Sequence, residues 1–192
     1  MIKITVEELI KLTKEDIKGK VIVFPTDTVY GIGSMIDDQE GVSKIYNLKH
    51  RDKNKPLANL AYSSEQIEEY VNITNPKIKE LMKHWPGALT IIFNKKHIYN
   101  NELPTIAFRI PNSNVALTIL KRFGVMSVTS MNLSGSEPLN NLDDIINNFE
   151  SEIDYLVTNE EKHSNISSTI IDVTKEPFVV LRKGEILKEI NV

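Results

Sequence analysis

The stretch Val21-Ile22-Val23-Phe24-Pro25-Thr26-Asp27-Thr28-Val29-Tyr30-Gly31-Ile32-Gly33 changes character halfway along. Its four consecutive apolar residues predict a short strand buried on both faces, where no polar alternation is needed. Pro25 lacks an N–H to give a ladder, so the chain is expected to leave the sheet there and run as a loop through the two glycines, Gly31 and Gly33. Ligand sites in open sheets favour such strand ends. The hydroxyls of Thr26, Thr28 and Tyr30 could orient a small polar substrate, or the threonines could bond their own backbone in a turn. The spacing fits neither a phosphate-binding loop nor a dinucleotide fingerprint.

Upstream, Thr5 followed by Glu8 reads as a capping box that opens a helix expected to end near Lys18 and Gly19. Downstream, helical spacing of Val42, Ile45, Tyr46 and Lys49 predicts a helix that delivers the chain into the basic run 49–55. Strands are expected at 57–61, 89–93, 106–110, 125–129, 169–173 and 178–181. Helices are expected around 64–71, 76–82, 115–122 and 142–149. Strands alternating with helices predict an α/β or mixed α+β layered fold. With 192 residues and no linker or repeat, one domain over 1–192 is expected.

The absence of cysteine excludes disulfides, thiolate metal sites and a thiol nucleophile. A formal net charge of −3 weighs against a dedicated nucleic-acid binder, so any RNA binding is expected to be weak. The N-terminal sequence lacks a basic leader and a long apolar run, and no later stretch reaches membrane-spanning length, so a cytoplasmic protein is expected. His50, His84, His97 and His163 show no metal-ligand spacing. No arrangement of carboxylates marks a general acid and base.

Four further segments carry groups suited to binding. Lys49-His50-Arg51-Asp52-Lys53-Asn54-Lys55 suits a polyphosphate, or is a solvated basic face. In Thr105-Ile106-Ala107-Phe108-Arg109-Ile110, alternation sends Ile106, Phe108 and Ile110 to the core and Thr105, Ala107 and Arg109 to the other face. There Arg109 floors an anion site, or lies on an edge strand. Ser130-Met131-Asn132-Leu133-Ser134 supplies neutral donors and acceptors, or caps a helix. Ser168 and Arg182 flank two short apolar strands.

Together and in order, PTDTVYGIG at 25–33, Lys49-x-Arg51 with KPL at 55–57, WPG at 85–87, FRIP at 108–111, SMNLSG at 130–135, SSTIID at 167–172 and LRKG at 181–184 resemble the YrdC-like family of threonylcarbamoyl-AMP synthases. The Lys-x-Arg and Ser-x-Asn signature falls on Lys49, Arg51, Ser130 and Asn132. The resemblance implies a twisted mixed sheet flanked by helices around a cavity where ATP and L-threonine meet. It implies that Lys49, Arg51, Lys55, Thr105, Asn132, Asn140 and Arg182 serve ATP, and that Thr28, Arg109, Ser130 and Ser168 serve threonine. The implied reaction joins L-threonine, bicarbonate and ATP, with Mg²⁺ accompanying the nucleotide. Its product would pass to a transferase complex that modifies tRNA. A carbamoyl-adenylate-dependent transferase domain and an RNA-binding module are the alternative readings. Leu60 stands where some relatives have a histidine near threonine, and Met131 where they have alanine; metal ligands and oligomeric state are left open.

Overall fold

In the computed structural model, which describes residues 1–97 and 103–190, strands and helices are interspersed along the chain. In order they are β1 (Ile2–Ile4), α1 (Val6–Leu9), β2 (Ile22–Phe24), β3 (Gly31–Met35), α2 (Gln39–Leu48), β4 (Ala58–Leu60), α3 (Ser64–Glu68), α4 (Pro76–Met82), β5 (Leu89–Asn94), β6 (Thr105–Arg109), α5 (Asn114–Phe123), β7 (Met126–Ser130), α6 (Leu142–Phe149), β8 (Tyr155–Val157), β9 (Thr169–Asp172) and β10 (Val179–Arg182). Among the described residues the strands make one ten-stranded sheet, ordered β1-β8-β2-β3-β7-β4-β6-β5-β9-β10. Parallel pairs (β1 with β8, β4 with β6, β5 with β9) and antiparallel pairs (β2 with β3, β3 with β7, β5 with β6) are mixed, as expected of the mixed α/β class. No helix among the described residues is long and apolar enough to cross a membrane.

The loop expected through residue 33 is shorter than its glycines suggested. Gly31 already begins β3, which pairs with β2 on one side and β7 on the other. The glycines serve packing: a Cβ on either Gly31 or Gly33 would come within 2.8 Å of a Val128 methyl group. Helix α1 has the expected capping box but stops at Leu9, well short of residue 18. There Thr13 and Asp16 offer the backbone a competing turn, with Thr13 N donating to Asp16 Oδ2 at 2.7 Å and Asp16 N to Thr13 Oγ1 at 3.2 Å.

The sheet's two faces are covered unequally. On one, α2, α3, α4 and α6 bury two apolar clusters, one around Ile67, Leu81, Ile91 and Phe108 and the other around Val23, Ile32, Ile45 and Phe149. On the opposite face, α1 and α5 pack over Ile22, Phe24, Leu60, Met126 and Val128. Register continues that second face past the reach of α5 into Ala58, Ala107, Thr105 and Ser130, all half-exposed. The floor there is made of small and hydroxyl side chains.

Candidate functional site

Arg109 ends β6 on this face, as period-2 alternation requires, yet it is only 6% exposed. Its Nε donates to the Gly87 carbonyl at 3.0 Å, Nη1 to Thr28 Oγ1 at 2.7 Å and Nη2 to Asp27 Oδ1 at 2.5 Å. Burial pulls the guanidinium below the usual arginine range, and the Asp27 carboxylate acts in the opposite sense. A buried cation of this kind persists because it is paired and hydrogen-bonded. The Thr26 hydroxyl donates to the Val29 carbonyl at 2.7 Å, so in the Thr26–Thr28 contact at 3.1 Å the proton must come from Thr28. Thr28 thereby accepts from Arg109 and donates to Thr26, which fixes its rotor.

The loop bearing these threonines is tied down from outside. Ser164 N donates to the Asp27 carbonyl and Asn165 N to the Thr28 carbonyl, each at 2.9 Å. Beside them, Arg182 donates through Nε to the Ser168 carbonyl at 2.9 Å and through Nη2 to Ser168 Oγ at 3.0 Å, while Thr90 Oγ1 lies 2.8 Å from the same hydroxyl. Arg182 is also held below the usual arginine range, first by burial and then by the positive charge of Arg109. Two guanidinium groups thus lie close enough for the charge of one to act on the other.

A second cluster joins the end of α2 to the end of β7. Lys49, 1% exposed, donates through Nζ to Asn132 Oδ1 at 2.7 Å and to the Ser130 carbonyl. Ser130 Oγ donates to the same Asn132 oxygen at 2.7 Å, and Asn132 Nδ2 donates to the Ser136 carbonyl at 2.5 Å. The two halves of the Lys-x-Arg and Ser-x-Asn pattern, more than eighty positions apart, are thus one hydrogen-bonded unit. Arg51, half-exposed, braces its own loop through Nε to the Lys55 carbonyl and Nη2 to the Pro56 carbonyl, both at 3.0 Å.

Burial, and then the charge of Arg51, push the Lys49 amine from 10.5 down to about 8. The folded state therefore gives up this proton at lower pH than the unfolded chain. Between about pH 8 and 10.4 the unfolded chain holds more protons, so stability rises with pH across that window, and the cost of the buried charge is at full strength below it. The stability gap between wild type and Lys49→Met should accordingly move in favour of wild type by roughly 2 kcal/mol between pH 7 and pH 10. Urea denaturation of both proteins at several pH values checks this; a gap independent of pH contradicts it.

The side chains of the other expected residues make no hydrogen bond to these clusters among the described residues, although Leu139 N, next to Asn140, donates to the Met131 carbonyl at 2.8 Å. Lys55 is exposed, and its carbonyl rather than its amine is engaged by Arg51. Asn140 is half-buried, with its Oδ1 shielded from solvent and without a partner among the described residues. Thr105 opens β6 and lines a cavity of about 730 Å³ that also touches Tyr46, Pro56, Asn59 and Tyr70. The remaining predicted side chains do not line that cavity, although the loop braced by Arg51 forms part of its wall. Asp27, Gly87 and Thr90 also belong to the arginine cluster; in the sequence Asp27 falls within the 25–33 segment and Gly87 within WPG, neither with a binding role assigned, and Thr90 is unmarked. For Asp27 the signal was its place between two threonines of the 25–33 segment. Among the described residues no group of three or more His, Asp or Glu side chains could hold a metal ion.

The Sua5_yciO_yrdC family model, described as telomere recombination, matches residues 17–184. Threonylcarbamoyl-AMP synthases of Pyrococcus abyssi and Bacillus subtilis are each 31% identical, over 181 and 179 residues. These alignments take in 91% and 90% of this chain but 53% and 52% of the two relatives, so the chain spans about half of their length. A Methanocaldococcus jannaschii relative, also 31% identical, is covered over 84% of its length. Among solved structures, P. abyssi Sua5 complexed with L-threonine superposes with a TM-score of 0.86 at 28% identity, over 96% of this chain and 58% of that one. Escherichia coli YciO shares the fold, with a TM-score of 0.82 at 24% identity over 95% of this chain and 91% of that one.

Proposed function

The chain belongs to the Sua5/YciO/YrdC family, and from that premise we propose that it is an L-threonylcarbamoyladenylate synthase. In this reading threonine's amine and bicarbonate form an N-carboxylate with loss of water. A carboxylate oxygen then attacks the α-phosphorus of ATP, the bond to the bridging oxygen breaks, and pyrophosphate leaves. The product, threonylcarbamoyl-AMP, would feed tRNA modification.

The observation that carries the proposal is the placement of two preorganised clusters on one face of the sheet: Arg109 lies level with Met126 at the start of β7, and Ser130, four residues along the same strand, lies on the same side. Arg109, Thr28 and Ser168 suit a small anion bearing hydroxyl groups, with Arg182, expected to serve ATP, bonded to Ser168 beside them, and P. abyssi Sua5, which superposes on this chain, was solved with L-threonine. Lys49 ties Ser130 and Asn132 to the end of α2, keeps its third N–H for a phosphate oxygen, and sits two residues from Arg51. Adenylyl transfer needs no enzyme nucleophile; it needs alignment of the attacking oxygen and neutralisation of charge on the phosphates. Buried, tethered cations supply both, with Mg²⁺ entering as part of the nucleotide substrate.

The test is mass detection of threonylcarbamoyl-adenylate after incubation with ATP, Mg²⁺, bicarbonate and L-threonine, with each component omitted in turn. Product that requires all of them is expected, and its absence from the complete mixture overturns the proposal. Serine lacks one methyl group and should be used with about 10- to 200-fold lower kcat/KM. Equal kcat/KM values would mean that the site does not read the methyl group.

A further inference from the structure

Resting on the reading of the Arg109 cluster as an amino-acid site, we infer that Asp27 recognises the substrate's α-ammonium group, so that Asp27 and Arg109 together clamp an α-amino acid as a zwitterion. The inference starts from what the pair leaves unused. A guanidinium has five N–H donors. Arg109 uses one each at Nε, Nη1 and Nη2, so each terminal nitrogen keeps one donor. Asp27 gives Oδ1 to Arg109, and its Oδ2 has no partner among the described residues. Its side chain is 15% exposed while that of Arg109 is 7% exposed, so the pair is open on the carboxylate side.

These leftovers match an α-amino acid. A ligand carboxylate taking the two free N–H groups of Arg109 carries its ammonium one carbon away, beside the carboxylate already bound to the same guanidinium. The ammonium then meets Asp27 Oδ2, and charges of both signs are neutralised within the pocket. Two features fix the geometry before any ligand arrives. The loop carrying Asp27 is fastened by the backbone bonds from Ser164 and Asn165, and the Nε–H of Arg109 is anchored on the Gly87 carbonyl. Arg182 adds positive potential around Ser168. Without Asp27 the same cluster would bind hydroxy acids as readily as amino acids.

Calorimetric binding of L-threonine and of 3-hydroxybutyrate, which is threonine without its amine, separates these cases. Wild type should bind threonine about 10- to 100-fold more tightly, the range of one charge-assisted hydrogen bond. Asp27→Asn keeps an acceptor for Arg109 but removes the charge, and should reduce that preference to within about threefold, chiefly by weakening threonine. Equal weakening of both ligands would mean that Asp27 only supports the fold, which overturns the inference. Should Asp27→Asn fail to fold, the wild-type comparison decides alone, because similar affinities for the two ligands leave Asp27 no amine to read. Wild type that binds neither ligand would overturn the amino-acid reading of the cluster and this inference with it. Threonine binding with an unchanged preference in Asp27→Asn would overturn the inference alone.

Discussion

Arg51→Ala is expected to lower product formation by roughly 100- to 1,000-fold in kcat, equivalent to about 2.7 to 4 kcal/mol, the usual loss when one preorganised donor to a developing negative charge is removed. Arg51 qualifies as preorganised because two of its N–H groups are spent on the Lys55 and Pro56 carbonyls, which aim the rest of the fork. Truncation also frees the 52–56 loop, so the variant's ATP affinity should fall along with kcat while its unfolding midpoint stays close to wild type. Arg51→Lys should recover part of the activity, since an ammonium restores the charge but cannot hold two carbonyls and still present a planar face to phosphate. Lys53, exposed in the same loop, is the control: Lys53→Ala should cost less than about tenfold, or about 1.4 kcal/mol. Steady-state kinetics by pyrophosphate release decides the matter. A Lys53 variant as damaged as the Arg51 variant would make the loop a general basic surface and sink the assignment.

What the sequence made legible was periodicity and capping. The alternation of 105–110 placed Phe108 in the core and Arg109 on the opposite face, and both are where they were expected. The capping box at Thr5 and the proline opening α4 also formed as read. Three-residue strands were not legible: Ile2–Ile4 and Tyr155–Val157 pair with each other across about 150 positions, and neither is long enough to show a period. The two glycines misled because glycine in isolation signals a turn, whereas here it makes room for Val128 from the neighbouring strand.

The site shows the same division between local and distant information. The resemblance named Lys49 and Asn132, but nothing local could say that they bond to each other, or that Lys49 is buried as deeply as apolar residues of the core. The basic run at 49–55 looked like one surface. In the fold its members have separate fates, with Lys49 inside, Arg51 bracing and Lys55 exposed. A charge count cannot separate these, because each fate depends on which carbonyl a later strand or loop presents.

Arg109→Met should be the most destabilising single substitution in the site. Removing one partner of a buried ion pair costs about 3 to 5 kcal/mol. The lower end is expected because the surviving Asp27 side chain is 15% exposed and can be partly hydrated. Two neutral groups also lose their donor, the Gly87 carbonyl and Thr28 Oγ1, though Thr28 keeps its contact with Thr26. If the cost arises mainly from a carboxylate left without its cation, removing that charge should restore part of it. Asp27→Asn introduced into Arg109→Met should therefore be less destabilising there than in the wild-type background, with an interaction energy on the order of 1 to 3 kcal/mol in a double-mutant cycle measured by urea denaturation. Threonine binding behaves differently, because both Arg109→Met and the double variant lack the guanidinium and should show none by calorimetry. Strictly additive stability losses would mean that Arg109 supports the fold through Gly87 and Thr28 alone. Restored stability with no restored binding is the expected pattern, because the guanidinium has two separable tasks: neutralising Asp27 within the fold and presenting its two remaining donors to a ligand.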